Sequence, residues 1–465
     1  MKARWARRLT LASLALVICV LPAAAQEADD DLLARLQALE DKVELLGQAI
    51  ESGRPAGDAD GLRAQIEALT REIERLRLGQ EVVPVADESR FGLGPAASKV
   101  YAVNQGVSIG GYGEMLYQNF ASTRQDDLPS GRTDRFDFVR AIVYAGYKFD
   151  DHFVFNSEIE FEHASTGQAG SVSVEFAYLD FMVTDAFNLR AGLLLPPMGF
   201  INELHEPPTY LTSERPETER QIIPSTWREN GFGFFGESGP LSYRAYLVTG
   251  FDGVGGGGAG ASGFSASGLR GGRQKGSKAD AESFAVTGRL DYQSPHGVTV
   301  GTSAYVGNSG QGNIDPLLPS ETIGARTFIW EGHVQAMYRG LSFRGLLSVA
   351  TVDDVPQLNA IRGLTGDESI GERLTGGYVE AGYDVFSRSE TEVQLIPFVR
   401  YERLNTQAEV PAGFSADPAR ERSLVTIGAA LKPIPNLVLK TDYVVESNDA
   451  DSGVNRLNVT LGYLF

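Results

Sequence analysis

Residues 457–465 read LNVTLGYLF, and this stretch decides the fold of the chain. Polar or small residues hold three of the four positions between its apolar ones. A period of two predicts a strand whose two faces meet different solvents. The alternating apolar positions are Leu457, Val459, Leu461, Tyr463 and Phe465.

The two ends of the chain indicate an outer-membrane protein of a Gram-negative cell. The final Phe465 looks like the terminal aromatic signal of outer-membrane barrels. At the other end, four basic residues precede an apolar run over 9–21 and the small residues Ala23–Ala25, which predicts a secretory signal peptide over residues 1–25. Cys19 is the only cysteine and lies inside this leader, so we expect a mature chain without thiol chemistry.

The charge and hydropathy of the chain exclude several classes of protein. The sequence has 41 basic and 60 acidic residues, a net charge of −19. Removal of the leader, which carries four basic residues and no acidic ones, would leave a net charge of −23, which argues against nucleic acid as a partner. No later segment has the ~18 consecutive apolar residues of a membrane helix. A membrane protein without such helices must be a closed barrel, because backbone groups in lipid need internal partners.

Residues 26–78 are predicted to form a helical coiled-coil arm in the periplasm. Leucines and isoleucines recur at alternating spacings of four and three over 29–51 and again over 59–78, with a helix breaker at 53–57. The two helices either self-associate across subunits, fold back as a hairpin, or form an arm packed on nothing in particular. Residues 79–106, with Gly, Pro and few periodic apolar positions, are predicted to be a linker.

Residues 107–465 are predicted to form an all-β membrane domain, an antiparallel transmembrane β-barrel of about 16 strands. Segments of alternating hydrophobicity are separated by turn residues throughout this region. The predicted strands are 107–120, 135–149, 152–163, 172–183, 187–195, 230–237, 240–250, 284–293, 297–307, 328–338, 340–351, 374–386, 391–403, 422–432, 436–446 and 455–465.

The connections between these strands support a barrel in a membrane. Even-numbered connections are short, as at Asp150–Asp151 and Ser238–Gly239, whereas odd-numbered ones are longer, as at 121–134 and 251–283. Short turns on one side and long loops on the other are the outer-membrane pattern. Both termini then lie on the periplasmic side.

The longest connection, residues 196–229, is the candidate constriction loop. In 16-stranded porins the third outer loop commonly folds into the lumen, where its charges grip solutes or set up a transverse field. The alternative is an outer loop held by internal salt bridges. Its candidate solute-binding residues are Arg215, Arg220, Arg228, Glu203, Glu206 and Glu214.

The predicted lumen wall carries both signs of charge. A basic column along the wall would guide anions, whereas acidic residues of the same parity, such as Glu158, Asp180 and Asp442, would neutralise that column or line a separate cationic wall. The basic wall residues are Arg140, Lys148, Arg190, Arg244, Arg289, Arg344, Arg400 and Lys440.

The next outer loop, within 251–283, is rich in glycine, which argues against a fixed core. Four basic residues there would place positive charge at the outer mouth. They would attract anions, bind lipopolysaccharide phosphate, or belong to a solvated loop without a role. The four residues are Arg270, Arg273, Lys275 and Lys278.

The stretches FDFVRAIVYAGYKFDDHFVFNSEIEFEHA (136–164) and AYLDFMVTDAFNLRAGLLLPPMGF (177–200) resemble the phosphate-selective porin O and P family. The resemblance implies a trimeric, 16-stranded outer-membrane channel with a ladder of lumen arginines. By position, Arg140, Lys148 and Arg190 match ladder sites. The acidic bias of the chain and its Glu-rich third loop depart from a strongly anion-selective pore.

The leading hypothesis is a porin for passive diffusion of small hydrophilic solutes, with an anion or phosphate preference. A general or cation-preferring porin, and a barrel that tethers the envelope through its arm, are the alternatives; an outer-membrane hydrolase is disfavoured because no catalytic set can be assembled. No catalytic residue, metal site or cofactor is expected. The expected partners are outer-membrane lipid and lipopolysaccharide, two further copies of the chain, hydrophilic or anionic solutes, and a periplasmic or cell-wall contact of the arm.

Overall fold

The structure is a computed structural model that describes residues 89–465 of the chain. The predicted signal peptide, the coiled-coil arm and the first part of the predicted linker lie outside the described residues. Residues 89–465 contain two α-helices, α1 (Pro95–Ser98) and α2 (Val355–Arg362), and sixteen strands. Strands β1 to β16 are Gly106–Phe120, Arg135–Lys148, Phe153–Glu162, Val172–Thr184, Phe187–Leu194, Glu229–Ser238, Leu241–Thr249, Phe284–Gln293, Val298–Asn308, Arg326–Tyr338, Leu341–Val352, Arg373–Tyr383, Gln394–Glu409, Glu421–Ile434, Leu437–Asn448 and Arg456–Leu464.

The strands form a closed antiparallel barrel in which each strand pairs with its neighbours in sequence. The ring closes between β1 and β16, where Met115 lies opposite Leu461 and Tyr112 opposite Leu464. The predicted fold class, an antiparallel barrel of about 16 strands, is confirmed. Neither α1 nor α2 in the described part of the chain is long and apolar enough to cross a membrane.

The barrel is apolar outside and charged inside. In β15, Leu439, Tyr443 and Val445 are exposed on the outer face, whereas Lys440 and Asp442 between them are buried on the inner face. This is the reverse of the pattern in a soluble protein, where charged residues face water and are almost never fully buried unless paired. The alternation therefore fits a strand between lipid and an interior lined by polar groups.

The lengths of the connections follow the predicted parity with one exception, the connection 384–393 between β12 and β13, which is longer than the predicted short turn. The turn between β10 and β11 is only Arg339 and Gly340, which both have positive φ (49° and 84°), as a type I′ hairpin turn requires. The odd-numbered connections include the two longest, residues 195–228 between β5 and β6 and residues 250–283 between β7 and β8, which are equal in length. Because β1 begins at the end of the barrel with the short turns, the chain enters the barrel from that end.

Strand β13 extends further than its sequence pattern indicates. The predicted strand ends at residue 403, but β13 continues to Glu409. The side chains of Thr406 and Gln407 face inward there and bond carbonyl oxygens of two long loops, at Ala266 and Ser369. These contacts between distant parts of the chain stabilise the end of β13, where the sequence no longer alternates between apolar and polar residues.

The interior of the barrel holds a core that the loops share with the wall. Trp227 is fully buried, and its ring stacks on Phe251 with centroids 4.5 Å apart and an interplanar angle of 14°. Phe264 packs against Phe251, and Tyr305 of β9 completes the cluster. The long loops therefore pack inside the barrel on an apolar cluster as well as on charged contacts.

Residues 89–105 pack against the inner wall beside the first six strands; we call them the entry segment. Phe91 packs edge-on against Phe235 of β6, with ring centroids 5.1 Å apart. Asn156 of β3 donates to the carbonyl of Ala97 at 2.9 Å, and Tyr101 donates to Asp180 of β4 at 2.6 Å. These residues belong to the segment predicted as a linker, and they occupy part of the lumen near the short turns.

Candidate functional site

The connection between β5 and β6, residues 195–228, crosses the inside of the barrel; we call it the lumen loop. On one side, the guanidinium of Arg289 in β8 donates to the carbonyl of Gly199. On the other, the backbone N–H of Ser213 donates to the carboxylate of Asp442 in β15 at 2.6 Å. Strands β8 and β15 lie almost opposite each other in the ring, so the loop spans the lumen.

Four cationic side chains from the last six strands hold backbone carbonyl groups of the lumen loop; we call them the carbonyl anchors. Three of them belong to the basic column predicted from the sequence, and Lys432 joins them. Each of them donates at least one hydrogen bond to the loop, so part of its donor capacity holds the loop. The donor and acceptor pairs are Arg344 with Thr209 (3.3 Å), Arg400 with Glu214 (3.3 Å), Lys432 with Pro208 (2.7 Å) and Lys440 with Thr212 (2.9 Å).

The basic wall residues of the first eight strands pair with carboxylates instead. The wall is largely shielded from water, and a buried guanidinium requires an opposite charge and hydrogen bonds. The acidic residues of the wall were expected either to neutralise the basic column or to line a separate cationic wall. These contacts match the first alternative. The pairs are Arg140 with Glu114 (3.3 Å) and Glu160 (3.2 Å), Lys148 with Asp151 (3.3 Å), Arg190 with Asp180 (2.7 Å), Arg244 with Asp291 (2.8 Å) and Arg289 with Asp291 (2.7 Å).

The six candidate charges of the lumen loop do not meet in a ring; each engages a different part of the molecule. Arg215 is partly exposed, and one of its guanidinium nitrogens is buried without a hydrogen-bond partner among the described residues. The other five pair as follows: Glu203 with Arg244 (3.6 Å), Glu206 with the N–H of Ala97 (3.0 Å), Glu214 with Arg456 (2.6 Å), Arg220 with Glu217 (3.0 Å) and Arg228 with Glu175 (2.5 Å).

A chain of four ion pairs fixes the middle of the lumen loop to β14, β15 and β16. Glu217 bonds Arg422 at 2.9 Å, and Arg422 bonds Glu446 at 2.8 Å. Glu446 also bonds Arg456 at 2.7 Å, which in turn bonds Glu214 at 2.6 Å. Burial would raise the pKa of Glu217, but Arg220 and Arg422 outweigh it and lower that pKa to about 2. The sequence analysis did not identify this network, because its members are up to 242 positions apart.

Two neighbouring residues of the lumen loop are buried with shifted pKa values of opposite sign. Burial raises the pKa of Glu206 to about 7, although two backbone N–H groups favour its charged form. Burial, reinforced by Arg215 and Arg140, lowers the pKa of His205 to about 4. His205 also contacts Glu158 of β3 at 3.1 Å. The sequence analysis gave His205 no role, because an isolated histidine carries no spacing signal.

The outer loop, residues 250–283, is held in place, which corrects the expectation that its glycines would prevent a core. Phe264 and Leu269 are fully buried. They pack in the apolar cluster with Phe251 and the partly buried Ile361 of α2. Two apolar side chains inserted between neighbouring loops suffice to fix a segment whose glycines allow close backbone approach.

The predicted outer-mouth residues divide into two pairs. Arg270 and Arg273 turn inward and donate to the carbonyl of Ser225 in the lumen loop, both at 2.7 Å. Lys275 and Lys278 remain exposed. Burial and the nearby Arg273 lower the pKa of Arg270, which shows that its charge is poorly compensated.

Two cavities lie on the two sides of the lumen loop. The outer cavity, of about 610 Å³, lies between the outer ends of β3 and β4 and the two loops, and Glu162, Arg273 and Lys275 are among its lining residues. The inner cavity, of about 500 Å³, lies near the short turns and is lined in part by Tyr210 and Lys432. Both cavities border on the lumen loop, so its position determines what connects them.

The buried group around His333 contains the residue types of a hydrolase site without the arrangement. Ser303 donates to Glu331 at 2.5 Å, and His333 lies between Glu331 (2.9 Å) and Asp291 (2.8 Å). In the described structure the hydroxyl of Ser303 therefore has a carboxylate, and not the imidazole, as its partner. A serine nucleophile needs a base within hydrogen-bond reach, so this group is a charge network of the wall. Among residues 89–465 no group of three or more potential ligands is arranged to hold a metal ion.

Comparison with known proteins gives one relative by sequence and several by fold. No family model matches the chain. An uncharacterised protein of Aquifex aeolicus (strain VF5) is 39% identical over 396 residues, which are 83% of this chain and 86% of that protein. The chain belongs to the same family as the A. aeolicus protein.

The solved structures with similar folds are outer-membrane proteins at low sequence identity. Salmonella typhi OmpF in complex with daunomycin has a TM-score of 0.49 and 13% identity, covering 78% of this chain and 98% of its own. The loop L8 deletion mutant of OmpT, an outer membrane protein of Vibrio cholerae, has a TM-score of 0.48 and 12% identity, covering 78% and 100%.

Proposed function

We propose that this protein is a porin of the Gram-negative outer membrane, through which small hydrophilic solutes diffuse passively. The observation that carries the proposal is the reversed polarity of a closed barrel. Leu439 and Tyr443 face outward, and Lys440 and Asp442 face inward on the same strand. Closed barrels satisfy every strand backbone group without water, and sixteen strands enclose enough space for an aqueous path.

The lumen loop is the proposed constriction. It is attached to the wall by the carbonyl anchors, by the ion-pair chain from Glu217 to Glu214, and by the bond between Arg289 and Gly199. Attachment at so many points favours a fixed bore over a mobile flap, because releasing the loop would expose several buried charges together.

The charge preference that we propose is weak and favours anions. The wall cations are neutralised or hold loop carbonyls, so they contribute little net field to a passing ion. The outer cavity retains poorly compensated positive charge at Arg270 and Arg273. A strong phosphate selectivity, as the resemblance to the phosphate-selective porins implies, would require basic groups without carboxylates beside them, whereas three glutamates line the same cavity as Arg270 and Arg273.

The assembly and the arm belong to the same proposal. We propose a homotrimer in contact with outer-membrane lipid and lipopolysaccharide, with residues 26–78 in the periplasm. Light scattering of the purified protein in detergent tests the trimer. Deletion of residues 29–78 tests the arm: a channel keeps its conductance without it, whereas a tether loses envelope integrity.

Liposome swelling with a series of uncharged sugars tests the porin proposal. The refolded full-length protein should admit small sugars and exclude larger ones. Planar-bilayer recordings across a potassium chloride gradient should give open steps and a small anion-directed reversal potential. Swelling no faster than in protein-free liposomes, together with the absence of conductance steps, would refute the proposal.

A further inference from the structure

The outer cavity has walls of opposite charge. Its acidic wall is formed by the outer ends of β3 and β4, and its basic wall by the lumen loop and the outer loop. A cavity of about 610 Å³ is large enough for a molecule the size of a dipeptide. The acidic residues are Glu160, Glu162 and Glu175, and the basic residues are Arg228, Arg270, Arg273 and Lys275.

The basic wall has positive charge to spare. Arg270 and Arg273 donate to neutral groups, the carbonyl of Ser225 and the hydroxyl of Thr226. In the described part of the chain, neither guanidinium forms a salt bridge with a carboxylate. Burial lowers the pKa of Arg273 to about 10 despite the nearby Glu175. A bound carboxylate would relieve this, because it would supply the missing opposite charge.

The acidic wall has acceptor oxygens to spare. Glu175 gives one carboxylate oxygen to Arg228 at 2.5 Å, while its other oxygen is buried without a hydrogen-bond partner among residues 89–465. Glu162 is half-buried, and its carboxylate accepts a hydrogen bond from Ser171 at 2.9 Å. A buried acceptor without a donor is costly, so the site favours a ligand that donates there.

We infer that the outer cavity binds dipolar solutes, such as amino acids and short peptides, with their carboxylate at Arg270, Arg273 and Lys275 and their ammonium group at Glu162 and Glu175. The inference rests on the proposed function, since it names the solute class that the porin would concentrate at its entrance. A simple anion leaves Glu175 unsatisfied and meets two further glutamates. A simple cation meets four basic groups. A solute with both charges complements both walls.

Isothermal titration calorimetry on the full-length protein in detergent at pH 7 tests this inference. The probes are glycylglycine, with both charges, N-acetylglycine, with the negative charge alone, and glycylglycinamide, with the positive charge alone. We expect glycylglycine to bind about three- to tenfold more tightly than either single-charge probe, since each contact of this kind contributes a factor of that order.

Two variants assign the ends of the ligand. Lys275→Gln should weaken the binding of glycylglycine and N-acetylglycine but not that of glycylglycinamide. Glu162→Gln should weaken the binding of glycylglycine and glycylglycinamide but not that of N-acetylglycine. Lys278→Gln, at an exposed lysine of the same loop that does not line the cavity, is the matched control and should change nothing.

Binding and conductance together separate the inference from the porin proposal. Equal affinity for glycylglycine and N-acetylglycine would overturn the dipolar site in favour of an anion site, and equal affinity for glycylglycinamide would overturn it in favour of a cation site. If none of the probes gives heat of binding although the protein conducts, the dipolar site is refuted and the porin proposal stands. Glycylglycine binding to a protein without conductance would support the site and refute the porin.

Discussion

Glu206 in the lumen loop accepts a 3.0 Å hydrogen bond from the backbone N–H of Ala97 in the entry segment. Its other carboxylate oxygen accepts from the N–H of Ala96 at 3.2 Å. These N–H groups belong to the first turn of α1, where no backbone partner exists within the helix. A side chain 109 positions away therefore satisfies the start of α1 and joins the entry segment to the lumen loop.

Replacing Glu206 with alanine should release the entry segment. Glu206→Ala leaves two buried N–H groups without an acceptor and should cost about 1–3 kcal/mol of stability. Trypsin cleavage after Lys99, which is 4% exposed, reports the release. Glu206→Gln keeps an acceptor oxygen and is the control. Cleavage of Glu206→Ala no faster than that of the wild type would show that Glu206 does not hold the segment.

The free energy of unfolding should depend on pH through two opposing groups. The contribution of Glu206, whose folded pKa is about 7 against an ordinary 4.5, is full below pH 4.5 and is lost as the pH rises to 7. The contribution of His205, with a folded pKa of about 4 against 6.5, is full above pH 6.5 and is lost as the pH falls to 4.

Because the two windows overlap between pH 4.5 and 6.5, the two contributions should nearly cancel each other there. Glu206→Gln removes the falling contribution, so the stability of the variant relative to the wild type should rise with pH across that range. Urea unfolding midpoints at several pH values measure the difference, and parallel profiles for the two proteins would contradict the assignment.

Loss of Glu217 should loosen the lumen loop more than loss of its exposed partner Arg220. Glu217→Gln breaks a buried contact to Arg422 and should lower the free energy of unfolding by about 2–3 kcal/mol. Arg220→Gln changes a side chain that is 49% exposed and should lower it by under about 1 kcal/mol. The stabilisation from Glu217 is present above pH 4.5 and should disappear as the pH falls towards 2. Chemical unfolding of both variants at pH 7 and pH 3 measures this, and equal losses would contradict the buried role.

A carbonyl anchor and an outer-cavity lysine should affect transport differently. Arg400→Met removes the guanidinium that donates to the hydroxyl of Thr212 and the carbonyl of Glu214, so conductance should change as the loop shifts. The reversal potential should move less than in Lys275→Gln, because Arg400 is 4% exposed, whereas Lys275 is exposed and lines the outer cavity. Bilayer recordings in a salt gradient compare the two, and a larger selectivity change in Arg400→Met would restore the basic column as the anion guide.

The outer face of β11 should reject charge in a lipid bilayer. Leu347 is 67% exposed and lies opposite Gly377 near the middle of its strand. Leu347→Arg should cost about 2–4 kcal/mol when unfolding is measured from lipid vesicles. Asp151→Arg, in a short turn outside the bilayer, should cost far less. A Leu347→Arg protein as stable as the wild type in vesicles would place that face in water.

The strands could be predicted because their signal is local. The alternation around Lys440 and Asp442 is encoded within a few positions of the chain. Strand β13 exceeded its prediction because Thr406 and Gln407 depend on carbonyl groups of loops far away in sequence.

The arrangement inside the barrel could not be predicted to the same degree. Parity places Arg400 on the inner face, but the partner it finds there is a backbone carbonyl, which every residue possesses and no sequence pattern marks. The ion pair between Glu214 and Arg456 could not be predicted for a different reason, because 242 positions separate the two residues. The entry segment escaped notice because Ala96 and Ala97 are too small to suggest a packed interior.

The carbonyl anchors hold the lumen loop through peptide carbonyl groups, which every residue possesses. Leu211 lies in the anchored stretch 208–214 and has no polar side-chain group, so its identity is only loosely tied to the position of the loop backbone. Single mutations can therefore change side chains that line the lumen while the backbone of the lumen loop keeps its position. Leu211 lines the inner cavity, so a substitution at this position is a direct way to change the solute preference of the protein.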